Sequence, residues 1–154
     1  MSSLNALMVA IDAASRKRDE ALQTVQERQR AQQAGQAQMD QLQSYAQEMQ
    51  RRWGAHESQS VQPEVMYHQY QFMERLQHAI DLQTRVMADL AIRLETAQKA
   101  LMACELRVSS LRKVVEVRRR DIALAQMRRE QKETDDRAAI QFFRRSFGLQ
   151  LHEA

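Results

Sequence analysis

The sequence predicts an all-α chain, a long antiparallel two-helix coiled-coil hairpin whose second helix overhangs the first. Three observations carry this. A ladder of mostly apolar residues stepped alternately by four and three runs through the second half of the chain. A weaker ladder with the same step precedes it. A short Gly- and Pro-punctuated segment lies between the two. A mean step of 3.5 residues keeps one narrow stripe facing a partner helix, whereas a strand would alternate by two.

The first helix is expected from about residue 2 to 53. Its ladder reads Leu4, Met8, Ile11, then Leu22 and Val25, then Met39, Leu42, Ala46, Met49 and Trp53. Ser15, Arg18, Gln29, Gln32 and Gln36 fill the other rungs, with Gly35 among them. Polar rungs remove burial, and Gly inside a helix costs about 1 kcal/mol relative to Ala. This middle stretch reads as loosely held. The hinge is placed at 54–62, because Gly just past one helix and Pro63 just inside the next are the expected punctuation. A connection this short makes the pair antiparallel.

The second helix is expected from about residue 63 to 141. Its ladder is Leu76, Ile80, Gln83, Met87, Leu90, Leu94, Ala97, Leu101, Cys104, Val108, Leu111, Val115, Arg118, Ile122 and Ala125. With the reversal centred near residue 58, Leu4 falls opposite about Lys113, and everything past Val115 lacks a partner in the chain. Roughly 25 residues should overhang. They carry Ile122 and Ala125 on the stripe and a basic set that includes Arg118, Arg119 and Arg120. Residues 142–154 hold Phe142, Phe143, Arg144, Arg145 and Phe147. They could touch a membrane surface or a partner groove, and are read as a frayed tail.

Composition narrows the function. Three glycines and one proline in 154 residues are too few turn formers for a compact multi-element domain. The charge is +3, from 23 basic and 20 acidic residues, with a pI near 9.3. Interleaved charges of both signs read as a solvated flank, with no uninterrupted basic stripe for nucleic acid. Cys104 sits in the seam as a small apolar residue of a reducing compartment. His56, His68, His78 and His152 have neither the i, i+4 pairing nor the companion cysteines of a metal site. No metal, cofactor or catalytic group is expected, and none of the phosphate-loop or HExxH signatures of an enzyme is present. No segment approaches a membrane span, and Met1 to Ile11 lacks the basic start of a signal peptide. A cytoplasmic protein reaching the membrane only through partners is expected.

Aromatics cluster near the hairpin tip, at Tyr45, Trp53, Tyr67, Tyr70 and Phe72. Trp53 reads as a plug for the end of the coil. Phe72 falls beside the ladder, and Phe72, Leu76, Ala79 and Gln83 follow at i, i+4, i+7 and i+11 along one flank. A large apolar residue beside a small one can dock another protein.

The run Tyr70-Gln71-Phe72-Met73-Glu74-Arg75-Leu76-Gln77-His78-Ala79-Ile80-Asp81-Leu82-Gln83 resembles the FliJ family of bacterial flagellar export proteins. Tyr45 and Glu48, Leu4 and Leu7, the Ala14–Asp19 run, Lys99, Glu105, Arg107 and Asp135-Asp136 extend the likeness from about Leu4 to Ala139. The resemblance implies an antiparallel coiled coil like the stalk of rotary ATPases. Such a stalk sits in the hexameric ring of the export ATPase FliI, promotes its assembly, connects it to the membrane gate FlhA and handles export chaperones. It implies that Phe72, Leu76 and Ala79, with Gln83 at a variable fourth position, form the gate-binding strip. The ring-facing part falls at the open end of the hairpin, on Arg16, Lys17 and Arg18 and on Arg118, Arg119 and Arg120, an assignment from shape and charge. The implied place is the cytoplasmic face of the inner membrane, at the flagellar base. The alternatives are the equivalent stalk of a virulence type III secretion system, and a generic self-associating coiled-coil scaffold, with a nucleic-acid or membrane-surface binder behind it.

Overall fold

The computed structural model describes residues 2–56 and 62–152. They form two α-helices, α1 (Ser2–His56) and α2 (Pro63–His152), and no strand. Both are built from Ala, Gln, Arg, Glu and Leu, which lose little side-chain freedom in a helix. Exposed pairs reinforce them: Glu48–Arg52, Asp89–Arg93, Glu95–Lys99 and Glu116–Arg120 are ion pairs at i, i+4 with the acid N-terminal, the better orientation. At the start of α2 the carbonyl of Gln62 accepts from the amides of Val65 and Met66, at 3.1 and 3.2 Å. Pro63 takes the first helical position, where its missing N–H is not needed.

Contacts divide the chain into two compact units, Ala14–Leu106 and Met1–Ala13 with Arg107–Ala154. In Ala14–Leu106, Tyr45 meets Phe72 and Gly35 meets Met87 and Leu90, so the helices run antiparallel. Every expected rung of α2 from Leu76 to Cys104 is buried or half-buried, and the side chains between them are exposed except Ala79. In the other unit, Val108, Leu111 and Val115 continue the pattern. Burial ends there: every residue from Glu116 to Leu149 is exposed. The overhang is therefore present.

Four expectations need correction. The rungs of α1 before Met39 are Leu4, Leu7, Ile11, Ala14, Arg18, Ala21, Val25, Arg28, Gln32 and Gly35. The expected Met8, Leu22, Gln29 and Gln36 are exposed, one position off, and Ser15 is half-buried beside Ala14. At Gly35 the physical cause is volume: Met87 and Leu90 of α2 fill the seam there and leave no room for a side chain opposite. Gly35 is buried, and a Cβ there would lie 2.8 Å from Met87 Sδ and 3.0 Å from Leu90 Cδ1. It marks close packing rather than looseness. Second, α1 continues through Gly54 to His56. Gly54 does not adopt the positive φ of a helix cap, and nothing lies within 4 Å of a Cβ placed on it. The rest of the expected hinge, 57–61, lies outside the described residues. Third, Ile11 and Val115 line one groove. Leu4 opposite Lys113 would have put Ile11 about two turns earlier on α2, so the pairing there is shifted toward later residues. Fourth, 142–152 are turns of α2 rather than a frayed tail.

Candidate partner-binding site

The strip that begins at Phe72 lies in Ala14–Leu106 and descends into the seam. Phe72 is 38% exposed, on the flank of α2 beside the rungs Met73 and Leu76. Its ring meets Tyr45 of α1 edge to face, with centroids 5.8 Å apart and planes at 75°. Such a pair contributes about 0.5–1.5 kcal/mol beyond its buried area and restrains the ring's direction. Tyr45 is itself 48% exposed, so the two rings form one surface feature supplied by both helices. Sequence spacing placed both near the tip without showing that they touch. The spacing of Tyr45 from the rungs Leu42 and Ala46 is the signal that places it on the flank of α1.

Leu76 is 8% exposed and is a rung of the seam. Ala79 is half-buried one turn on, and its small side chain leaves the flank beside Phe72 low. Gln83 is half-buried and turned toward α1. Its Nε2 donates to the carbonyl of Gly35 at 2.9 Å and lies 3.4 Å from Gln38 Oε1. Met87 Sδ and Leu90 Cδ1 crowd the Cα of the same glycine. Of the four expected residues, Phe72 and Ala79 therefore offer surface, while Leu76 and Gln83 hold the helices in register beneath it.

The basic residues fall in both units. In Ala14–Leu106, Arg16 and Lys17 are exposed. Arg18 is half-buried on a rung and sends its guanidinium out to Asp19 at 3.0 Å, a stem-buried, head-exposed arrangement. In the other unit Arg118, Arg119 and Arg120 are all exposed. Arg119 and Arg120 border a groove floored by Met8, Ile11, Val115 and Ala123, with Arg112 and Glu116 on its walls. Arg118 is not among its lining residues. The groove lies where seam burial ends, so an apolar floor meets solvent between arginines. Spacing alone places Met8 in the seam, one position off, and passes over Ala123 because it lies beside the α2 ladder at Ile122 and Ala125.

Among the described residues no three His, Cys, Asp or Glu side chains are grouped to hold a metal ion. Cys104 is a free thiol, half-buried in the seam. No helix of the described residues is long and apolar enough to cross a membrane.

No curated protein and no solved structure is matched by the sequence. The family profile described as flagellar FliJ protein matches residues 3–147, nearly the whole chain. That span takes in both helices, the Phe72–Tyr45 pair and the basic overhang, and the chain belongs to the FliJ family, a structural component of bacterial flagellar protein export.

Proposed function

We propose that this protein is the non-enzymatic stalk and adaptor of the flagellar type III export apparatus. In this reading it promotes assembly of the hexameric export ATPase FliI, couples that ring to the membrane gate FlhA and handles export chaperones. It works in the cytoplasm, peripherally at the cytoplasmic face of the inner membrane. The observation that carries the reading is the Phe72 ring, exposed on the flank of α2 and braced by Tyr45 while the seam beneath it is complete. An exposed aromatic held in one orientation loses little freedom on binding and makes a good anchor. The gate is assigned to this strip, with Phe72 as anchor, Ala79 as the low ground beside it, and Leu76 and Gln83 as its support. The ring is assigned to Arg16, Lys17 and Arg18 and to Arg118, Arg119 and Arg120. The family match favours the flagellar over the virulence system.

Phe72→Ala tests the reading. It should leave helicity intact and lower stability by about 1 kcal/mol, through the lost edge-to-face pair. Affinity for the purified cytoplasmic domain of the gate should fall about thirtyfold or more. Capture by the ATPase should persist. Undiminished gate binding by a folded Phe72→Ala protein would remove the assignment, and loss of ATPase capture instead would reverse the two ends.

A further inference from the structure

The last turns of α2 carry a surface that the export reading does not use. Between Arg137 and Leu149 the helix has three arginines and no acidic residue. Three of the chain's four phenylalanines lie in the same stretch. Phe142, Phe143, Phe147, Ile140 and Leu149 are all more than half exposed. Ile140, Phe143 and Phe147 line a shallow apolar trough with Ala139 and Arg144, and nothing from α1 covers it.

The angular arrangement separates the two kinds of residue. At 3.6 residues per turn, the apolar side chains from Ala138 to Leu149 fill one arc of roughly 200°, interrupted by Ser146. Arg137, Gln141, Arg144 and Arg145 occupy the remaining arc. A basic polar arc opposite a broad Phe-rich arc is the pattern of a helix lying in a membrane interface. Just before it, Asp135 and Asp136 end the highly charged run from Arg128, so the apolar segment has a sharp start.

We infer that residues 137–149 bind directly to anionic lipid surfaces, with the apolar arc in the headgroup region and Arg137, Arg144 and Arg145 on lipid phosphates. The inference stands apart from the export reading, in which the membrane is reached through partners. One observation favours lipid over other occupants. A protein groove covers one stripe of a helix, yet here Phe143 and Phe147 lie on one side of the arc and Phe142 and Leu149 on the other; a flat interface takes the whole arc.

The test uses the full chain and flotation with two kinds of vesicle: phosphatidylcholine alone, and phosphatidylcholine containing phosphatidylglycerol. Wild type should float with the anionic vesicles and be released by high salt. Arg144→Gln/Arg145→Gln should weaken that binding about thirtyfold. Phe143→Ser/Phe147→Ser should weaken it at least tenfold. Both double variants should keep the wild-type melting temperature, since none of the four side chains touches the seam. Failure of wild type to float would overturn the inference, as would anionic binding that survives both double variants. Sedimentation showing a dimer that the Phe143→Ser/Phe147→Ser pair abolishes would give the face to a second copy. Loss of capture by the purified export ATPase in that pair, with no vesicle binding by wild type, would give it to a protein groove.

Discussion

Within Ala14–Leu106 the two helices fill one seam with different materials. α2 contributes bulk: Leu76, Ile80, Met87, Leu90, Leu94 and Leu101. Opposite the later part of that ladder, α1 contributes Ala14, Ala21, Val25 and Gly35, with the stems of Arg18, Arg28 and Gln32 between them. From Met39 to Trp53 α1 supplies larger apolar rungs, Met39, Leu42, Met49 and Trp53. Packing density depends on the summed volume across the interface, so a bulky rung on one helix calls for a small one on the other. Burying an α1 rung therefore need not make it apolar or large. This asymmetry makes α2 the helix whose rungs supply most of the apolar area, and α1 the helix whose rungs set the separation.

The asymmetry implies a ranking of substitutions. The largest effect belongs to Leu101→Asp, in the bulky ladder. It loses most of a Leu burial, about 1.5–3 kcal/mol, and forces a carboxylate toward an apolar stripe. A total loss of about 3 kcal/mol or more is expected, read as a large fall in melting temperature. An unchanged melting temperature would mean that α2 is not the main source of buried area.

Gly35→Val comes next, on the side that sets the spacing. The first added atom already falls 2.8 Å from Met87 Sδ and 3.0 Å from Leu90 Cδ1, and a branched side chain goes further. Overpacking of this kind costs about 1–3 kcal/mol, against a helix-propensity gain of a few tenths. Urea denaturation should show a net loss of about 2 kcal/mol. A stabilised variant would show that the helices can separate at this point at no cost. Gln83→Ala, which tests the polar contact at the same place, should cost about 1 kcal/mol. It removes the donor to the Gly35 carbonyl. A Gln83→Ala protein as stable as wild type would show that the hydrogen bond adds nothing to the close packing.

These residues also mark what sequence could and could not disclose. The α2 ladder was legible rung by rung, because size and spacing coincide there. The α1 ladder before Met39 was displaced at every second rung. Met8 and Leu22 are larger than Leu7's and Ala21's neighbours would suggest, and a search for large apolar residues selects them. Their exposure depends on how α1 is turned against α2, which no property of α1 alone specifies. The candidate site was half legible for the same reason. Phe72 follows from its offset beside the Leu76 ladder, whereas its contact with Tyr45 depends on how the two helices are aligned. The inward turn of Gln83 depends on Gly35, whose approach no property of α2 alone specifies.

Gly54 supplies the smallest effect and the control for Gly35. Both are helical glycines of α1; spacing alone reads Gly35 as a loosely held turn and Gly54 as the start of the hinge. Gly35 is buried against Met87 and Leu90, while Gly54 is exposed with nothing within 4 Å of a Cβ. Gly54 has no positive φ to preserve. Its cost is then purely that of glycine in a helix, the extra freedom it gives the unfolded chain. Gly54→Ala should therefore stabilise the protein by about 0.5–1 kcal/mol, opposite in sign to Gly35→Val. A urea midpoint that rises without a change in slope would support this. A fall would mean that the end of α1 uses the freedom of glycine at Gly54, as the hinge expected at 54–62 supposed.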